Sequence, residues 1–190
     1  MRKLTYLVAS TIDGFITDPS NGNPDFFLHE GDHGEALRSE YPEVLPTHVR
    51  GMFGIAEAPN KHFDTVLQGR GSWDIGAREG ITNAYQHLRS IVFSRTITQS
   101  PDPTVEFATD PVARVRELKQ EPGAGIWLCG GGRLAAELRP EIDELVIKLH
   151  PIVAGAGVGL FDGEFSPAQF DLVNAQPFTS GVVHLTYTRR

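Results

Sequence analysis

Among the 190 residues there is a single cysteine, Cys129. One thiol excludes an intramolecular disulfide and any multi-cysteine zinc site, a pattern that fits a reducing, cytoplasmic setting. Long apolar runs are also missing, and the longest stretch free of both glycine and proline is 81–100. A membrane span of about 20 apolar residues, a coiled coil or a long-helix bundle therefore has no place to sit. Positive charge is scarce: 17 Lys and Arg face 24 Asp and Glu, a net charge of −7, and the basic residues are scattered. Without a basic cluster there is no counterion-release surface for nucleic acid. Met1-Arg2-Lys3 and the apolar residues after it imitate a signal peptide, but Thr5 interrupts the stretch. Signal peptides need about 7–15 apolar residues, so a buried first strand is the better reading.

What is present suffices for a packed core: 40% hydrophobic residues, with 20 glycines and 13 prolines to make turns. The pattern predicts a strand at 4–12 ending in the turn signal Asp13-Gly14. A long loop follows at 17–32 with an apolar anchor, Phe26-Phe27-Leu28, and then weak helical patches at 34–58 broken by Pro42 and Pro46. Further strands are predicted at 65–67, 89–93 and 104–107, and a helix begins at Asp110-Pro111, an N-cap with proline at the first position. Val112, Val115 and Leu118 give that helix its apolar face, and Pro122-Gly123 stops it. A buried strand at 126–129 runs into Gly130-Gly131-Gly132 and a helix bearing Leu134 and Leu138. Strands at 142–150, 170–175 and 182–188 complete the chain, the last two joined as a hairpin near Ser180-Gly181. Strands alternating with helices imply a single α/β domain, residues 1–190, with a mainly parallel sheet covered on both faces and an antiparallel pair at its C-terminal end.

The strongest chemical signal is strand, glycine triplet, helix. Glycines there let a pyrophosphate approach the backbone, although an isolated triplet is equally a tight strand-to-helix turn. Gly130, Gly132 and Ala135 also satisfy GxGxxA, but the acid that would hold a ribose about 20 residues later falls in Leu149-His150-Pro151. Two more strand ends carry phosphate-suited groups: Gly69-Arg70, and Ser94-Arg95-Thr96. Each arginine alone reads as a surface residue; the three strand ends together point to a dinucleotide.

These residues, with Ser10-Thr11-Ile12-Asp13-Gly14-Phe15-Ile16, Leu67-Gln68-Gly69-Arg70-Gly71-Ser72-Trp73, Val92-Phe93-Ser94-Arg95-Thr96 and Leu128-Cys129-Gly130-Gly131-Gly132-Arg133-Leu134, carry a family likeness. So do Ile142-Asp143-Glu144-Leu145 and the Pro151-Ile152-Val153-Ala154-Gly155-Ala156-Gly157 tail. In this order, over nearly the whole chain, they resemble the dihydrofolate reductase-like superfamily, in particular the reductase domain of the bifunctional riboflavin-biosynthesis protein.

The resemblance implies a twisted, mainly parallel sheet flanked by helices, a homodimer, and NADPH bound in an extended pose. It puts Gly69 and Arg70 at the adenosine side, Ser94 and Arg95 near the 2′-phosphate, and Gly131, Gly132 and Arg133 at the pyrophosphate. Ser72, Thr96, Gly130 and Leu134 lie in the same motifs, and the nicotinamide falls near Ala9 and Ser10. Two departures bear on the substrate. Cys129 stands where riboflavin-type reductases carry an acid, and Asn23-Pro24-Asp25-Phe26-Phe27 gives no clear equivalent of the loop and helix carboxylate of folate reductases. The implied activity is hydride transfer from NADPH to a small planar pterin-like, pyrimidine-like or carbonyl or imine compound. The alternative is an NADP-binding protein of the same fold without turnover. Asp13 is a candidate proton donor or, equally, an Asx-turn residue. His29-Glu30-Gly31-Asp32-His33 matches the zinc-protease HExxH, but Gly31 and Asp32 are poor helix residues, so a chance match is preferred and no metal is expected.

Overall fold

A computed structural model describes residues 1–20, 22, 24–97 and 99–190; Asn21, Asn23 and Thr98 lie outside it. The chain runs β1 (Leu4–Ser10), β2 (Phe15–Thr17), α1 (Asp32–Glu40), α2 (Thr47–Arg50), β3 (Phe63–Gly69), α3 (Arg70–Arg78), β4 (Arg89–Phe93) and β5 (Val105–Ala108). It continues with α4 (Pro111–Gln120), β6 (Gly125–Gly130), α5 (Gly132–Leu138), β7 (Glu144–Leu149), β8 (Val158–Gly159), β9 (Phe170–Pro177) and β10 (Val183–Arg189). Short 3₁₀ turns cover Pro42–Val44, Gly51–Phe53 and Arg139–Glu141.

Eight strands form one sheet in the order β5-β4-β3-β6-β1-β7-β10-β9. The first six are parallel to one another, and β10 and β9 add antiparallel at one end. The mainly parallel sheet with a C-terminal antiparallel pair is thus as the alternation of strands and helices implies. Phe178 N–H donates to Val182 O at 2.9 Å, closing the expected hairpin, with Gly181 at φ +84°.

Strand β1 shows why the sheet is covered on both faces. Successive side chains of a strand point to opposite sides. Leu4, Tyr6 and Val8 pack with Val115, Leu118, Leu134 and Leu138 of α4 and α5. Leu7 packs the other way with Val44, Val66, Trp127 and Val146, against which Leu37 of α1 is laid. Asp110 caps α4 as expected, its carboxylate accepting from Ala113 N–H at 2.9 Å. At the opening edge of the sheet, buried Arg2 donates to Asp64, to Thr65 Oγ1 at 2.7 Å and to Ala124 O at 2.6 Å, fixing the starts of β1, β3 and β6 together.

Three local details are set by the structure. After β3, Gly69 stays extended and α3 starts directly at Arg70, supported by an i,i+4 pair from Arg70 to Asp74 at 2.6 Å. The weak patches near residue 34 form a nine-residue helix, α1, which turns Leu37 onto the sheet. The loop expected at 17–32 starts after a small ribbon, β2 with β8, whose strands are too short to give an alternation pattern. Within that loop Phe27 is the anchor, 5% exposed, while Phe26 and Leu28 stay exposed.

The β8 segment sits on α5 through a glycine. A Cβ on Gly132 would collide with the Gly159 carbonyl and lie 3.2 Å from Asp162 Cβ. Asp162 N–H also donates to Gly132 O at 3.0 Å. Gly132→Ala is therefore expected to cost about 1–3 kcal/mol, read as a lower melting temperature. Gly80→Ala, where a Cβ meets nothing within 4 Å but φ is +80°, is the control for backbone strain alone.

Candidate active site

Parallel strands put their C-terminal ends on one edge. Ser10, Gly69, Phe93, Gly130 and Leu149 all stand there, so the predicted strand-end motifs share one edge. Ligands of open α/β sheets collect in this position.

Gly69 and Gly131 form its central seam. A Cβ on Gly131 would lie 3.8 Å from Gly69 Cα and 3.7 Å from Leu134 Cβ, and Gly131 has φ +104°, which a side chain would strain. Gly130 adjoins Ser72, whose Oγ would be 3.4 Å from a Cβ there. Gly132 faces the Gly159 carbonyl instead, so its missing side chain serves packing. Beside the seam, Ser94 Oγ accepts from Thr96 N–H at 3.2 Å and Ile97 N–H at 3.0 Å, which shapes the turn after β4. Arg70 reaches across to Thr96 Oγ1 at 3.4 Å.

The arginines are not unpaired. Arg70 meets Asp74 at 2.6 Å, Arg95 meets Glu137 at 3.7 Å and Arg133 meets Asp162 at 3.1 Å. Arg95 and Arg133 side chains are 84% and 90% exposed, where ion pairs contribute about 0–1 kcal/mol and an incoming phosphate can displace them.

Asp13 holds a loop. Its carboxylate accepts from Thr11 Oγ1 at 2.6 Å, Ala154 N–H at 3.1 Å and Gly155 N–H at 2.7 Å. The Thr11 hydroxyl and those two N–H groups hold its pKa down to about 2, so it carries no proton at neutral pH. The HExxH segment is divided by the start of α1 at Asp32, which leaves exposed His29 ahead of the helix. His33 is buried and its Nε2 donates to Leu28 O at 3.0 Å, while Asp32 accepts from Thr179 N–H at 2.7 Å. The segment lacks the single helix face a zinc protease requires.

The structure adds a group that the motif reading missed. Lys148 of β7 stands in register with Ala9 on one side and His184 of β10 on the other. His150 follows at the strand end, 2% exposed, its ring 4.7 Å from Phe27 and 5.7 Å from His33. Phe178 lies 4.6 Å from His184. The available signal was a lysine between Ile147 and Leu149 in an apolar strand. Cys129 closes the far side, its Sγ 3.7 Å from Tyr85 Oη. Burial pushes that thiol up to about 11 and raises Tyr85 as well, so both are neutral at physiological pH.

Burial, and next the charge of Lys148, push His150 down to about 3 and His184 down to about 4; His33 adds to both and His29 to His150. An unfolded histidine protonates near pH 6.5, so between about 6.5 and 4 the unfolded chain holds more protons. Stability is then expected to fall as pH drops through that window, by up to about 1.4 kcal/mol per pH unit for each histidine. Melting temperatures from pH 7 to 4.5 check this: His150→Asn and His184→Asn should each flatten the slope relative to the wild type.

The chain is similar to known proteins over its full length. The RibD C-terminal domain family profile matches residues 2–184. Two proteins of Bacillus subtilis (strain 168), both uncharacterised, align along nearly their whole lengths. YyaP is 27% identical, covering 98% of this chain and 94% of its own. YwjB is 29% identical, covering 99% and 98%. A putative riboflavin biosynthesis protein from Shewanella sp. PV-4 superposes with a TM-score of 0.70 at 23% identity, covering 100% of this chain and 99% of that one. A diaminohydroxyphosphoribosylaminopyrimidine deaminase/5-amino-6-(5-phosphoribosylamino)uracil reductase from Thermotoga maritima gives 0.66 at 20% identity, covering 100% of this chain and 57% of that one. The fold is dihydrofolate reductase-like, and the family is that of the NADPH-dependent reductase domain of riboflavin biosynthesis. The chain belongs to the RibD C-terminal domain family.

Proposed function

We propose that this protein is an NADPH-dependent reductase acting on a small molecule, with its site at the C-terminal edge of the sheet. The observation that carries the reading is the convergence of the Gly69–Gly131 seam, the Ser94-Arg95-Thr96 turn and Arg70 at one edge. The groups there suit a dinucleotide. The seam exposes backbone without side chains, and the arginines and hydroxyls supply phosphate donors. Gly69, Arg70, Ser72, Ser94, Arg95 and Thr96 would hold the adenosine and 2′-phosphate end. Gly130, Gly131, Gly132, Arg133 and Leu134 would flank the pyrophosphate, and Ala9 the nicotinamide.

Bound there, NADPH would supply the hydride. The chain's own work is orientation and exclusion of water. Phe27 and His150 shield the far end, and Asp13 ties the 154–155 backbone to the end of β1 through its accepted N–H bonds. In this reading Asp13 is a positioning residue, and the proton comes from another group or from solvent. The chain would act in the cytoplasm as a homodimer. The free sheet edge at β9, where Leu172 and Val173 are 56% and 63% exposed, suits a second copy.

Titration with NADPH should quench tryptophan fluorescence and raise the melting temperature, and NADH should bind less tightly. Arg95→Ala should weaken NADPH about tenfold and leave NADH within about twofold. Equal affinities for the two dinucleotides in both proteins would refute the assignment of the 2′-phosphate end.

A further inference from the structure

Beyond the dinucleotide seam, the same strand edge carries a cationic end whose ligand no motif assigns. Lys148 stands one residue before the end of β7, on the face continued from Val146, which packs under α1. Its neighbours in the sheet are Ala9 and His184, and His150 follows on the same face. Among the described residues the Lys148 ammonium has no hydrogen-bond or salt-bridge partner. The groups that act on it or are acted on by it are Cys129, His150 and His184. None of these is a carboxylate.

The acids at the start of α1 are engaged elsewhere or exposed. Asp32 accepts from Thr179 and Ser180, and Glu35 is exposed. Lys148 is part-buried, where a cation is less well solvated than at the open surface and gains from an oxygen partner.

The histidines beside it point the same way. Among the described residues His150 Nδ1 and His184 Nε2 are buried without a hydrogen-bond partner, as is His33 Nδ1 behind them, and the His150 residue is 2% exposed. Buried polar atoms left open in this way call for a missing polar group. These ring nitrogens flank the unpaired ammonium in the sheet register, and Phe27 and Phe178 pack on the two histidine rings. Aromatic groups beside a cation suit a planar body with an electron-rich oxygen at its end.

The geometry points to Lys148, flanked by His150 and His184, as the substrate-recognition group of the reductase, taking small planar compounds that present a carbonyl or anionic oxygen. The assignment of substrate class rests on the reductase reading above; the oxygen site itself does not. Burial lowers the Lys148 pKa, which makes it a readier hydrogen-bond donor to such an oxygen.

The probe is 4-nitrophenolate, a planar oxyanion with its own absorbance band, titrated into the protein alone and again with NADPH. Saturable binding is expected in the wild type, at least about tenfold weaker in Lys148→Met and within about threefold of wild type in Lys148→Arg. Circular dichroism and melting curves establish that both variants fold, and Lys148→Gln serves in place of Met if that variant does not. The inference is overturned if nitrophenolate binds Lys148→Met or Lys148→Gln as tightly as wild type, or if the wild type shows no saturable binding up to about 10 mM. NADPH quenching is measured on the same samples. Loss of NADPH binding with Lys148-dependent nitrophenolate binding intact would refute the reductase reading while supporting the oxygen site.

Discussion

The parallel pairing of β1 with β6 on one side and β7 on the other is the constraint from which the site follows. Leu4, Thr5 and Tyr6 align with Ile126, Trp127 and Leu128, while Thr5 through Ser10 align with Glu144 through Leu149. Because these strands run the same way, Ser10, Gly130 and Leu149 finish together, and Gly69 joins them through β3. A one-residue slip of β7 would turn Lys148 to the opposite face and bring Ile147 or Leu149 beside Ala9. The register is held from both faces by buried apolar groups, with Tyr6 and Leu7 packed on opposite sides, and from the opening edge by Arg2.

That edge divides into two electrostatic regions. On the β3–β4 side the arginines are exposed and already paired with carboxylates, so an anion displaces weak surface partners. On the β7–β10 side the part-buried ammonium stands in register with His184 and has no hydrogen-bond or salt-bridge partner among the described residues. On a chain of net charge −7, both are local exceptions. The first suits a flexible, highly charged phosphate end; the second suits a small oxygen met by a part-buried cation, where a polar contact counts for more than in open water.

Much of this was legible in the sequence because it is local. Strand β4 spans the residues its β-branched run predicts, and the glycine triplet marks the β6–α5 turn, where Gly131 adopts a φ that favours glycine. What escaped depends on tertiary partners. Helix α1 has an unremarkable pattern and is set by packing Leu37 against the sheet. Strands β2 and β8 are short and exist because Gly132 leaves room for Gly159. Asp13 read equally as turn residue or acid, and its bonds to Ala154 and Gly155 span a separation in sequence that no local pattern encodes. Lys148 acquires meaning only when β1 and β10 bring Ala9 and His184 beside it.

The most direct test is a crystal structure of the protein with NADPH bound. The cofactor should lie along Ser94 to Thr96, cross the Gly69–Gly131 seam and bring its nicotinamide against Ala9, on the side facing Lys148. Density for the dinucleotide at the opposite edge of the sheet, in the cavity lined by Arg2, Tyr41, His62 and Glu144, would contradict it.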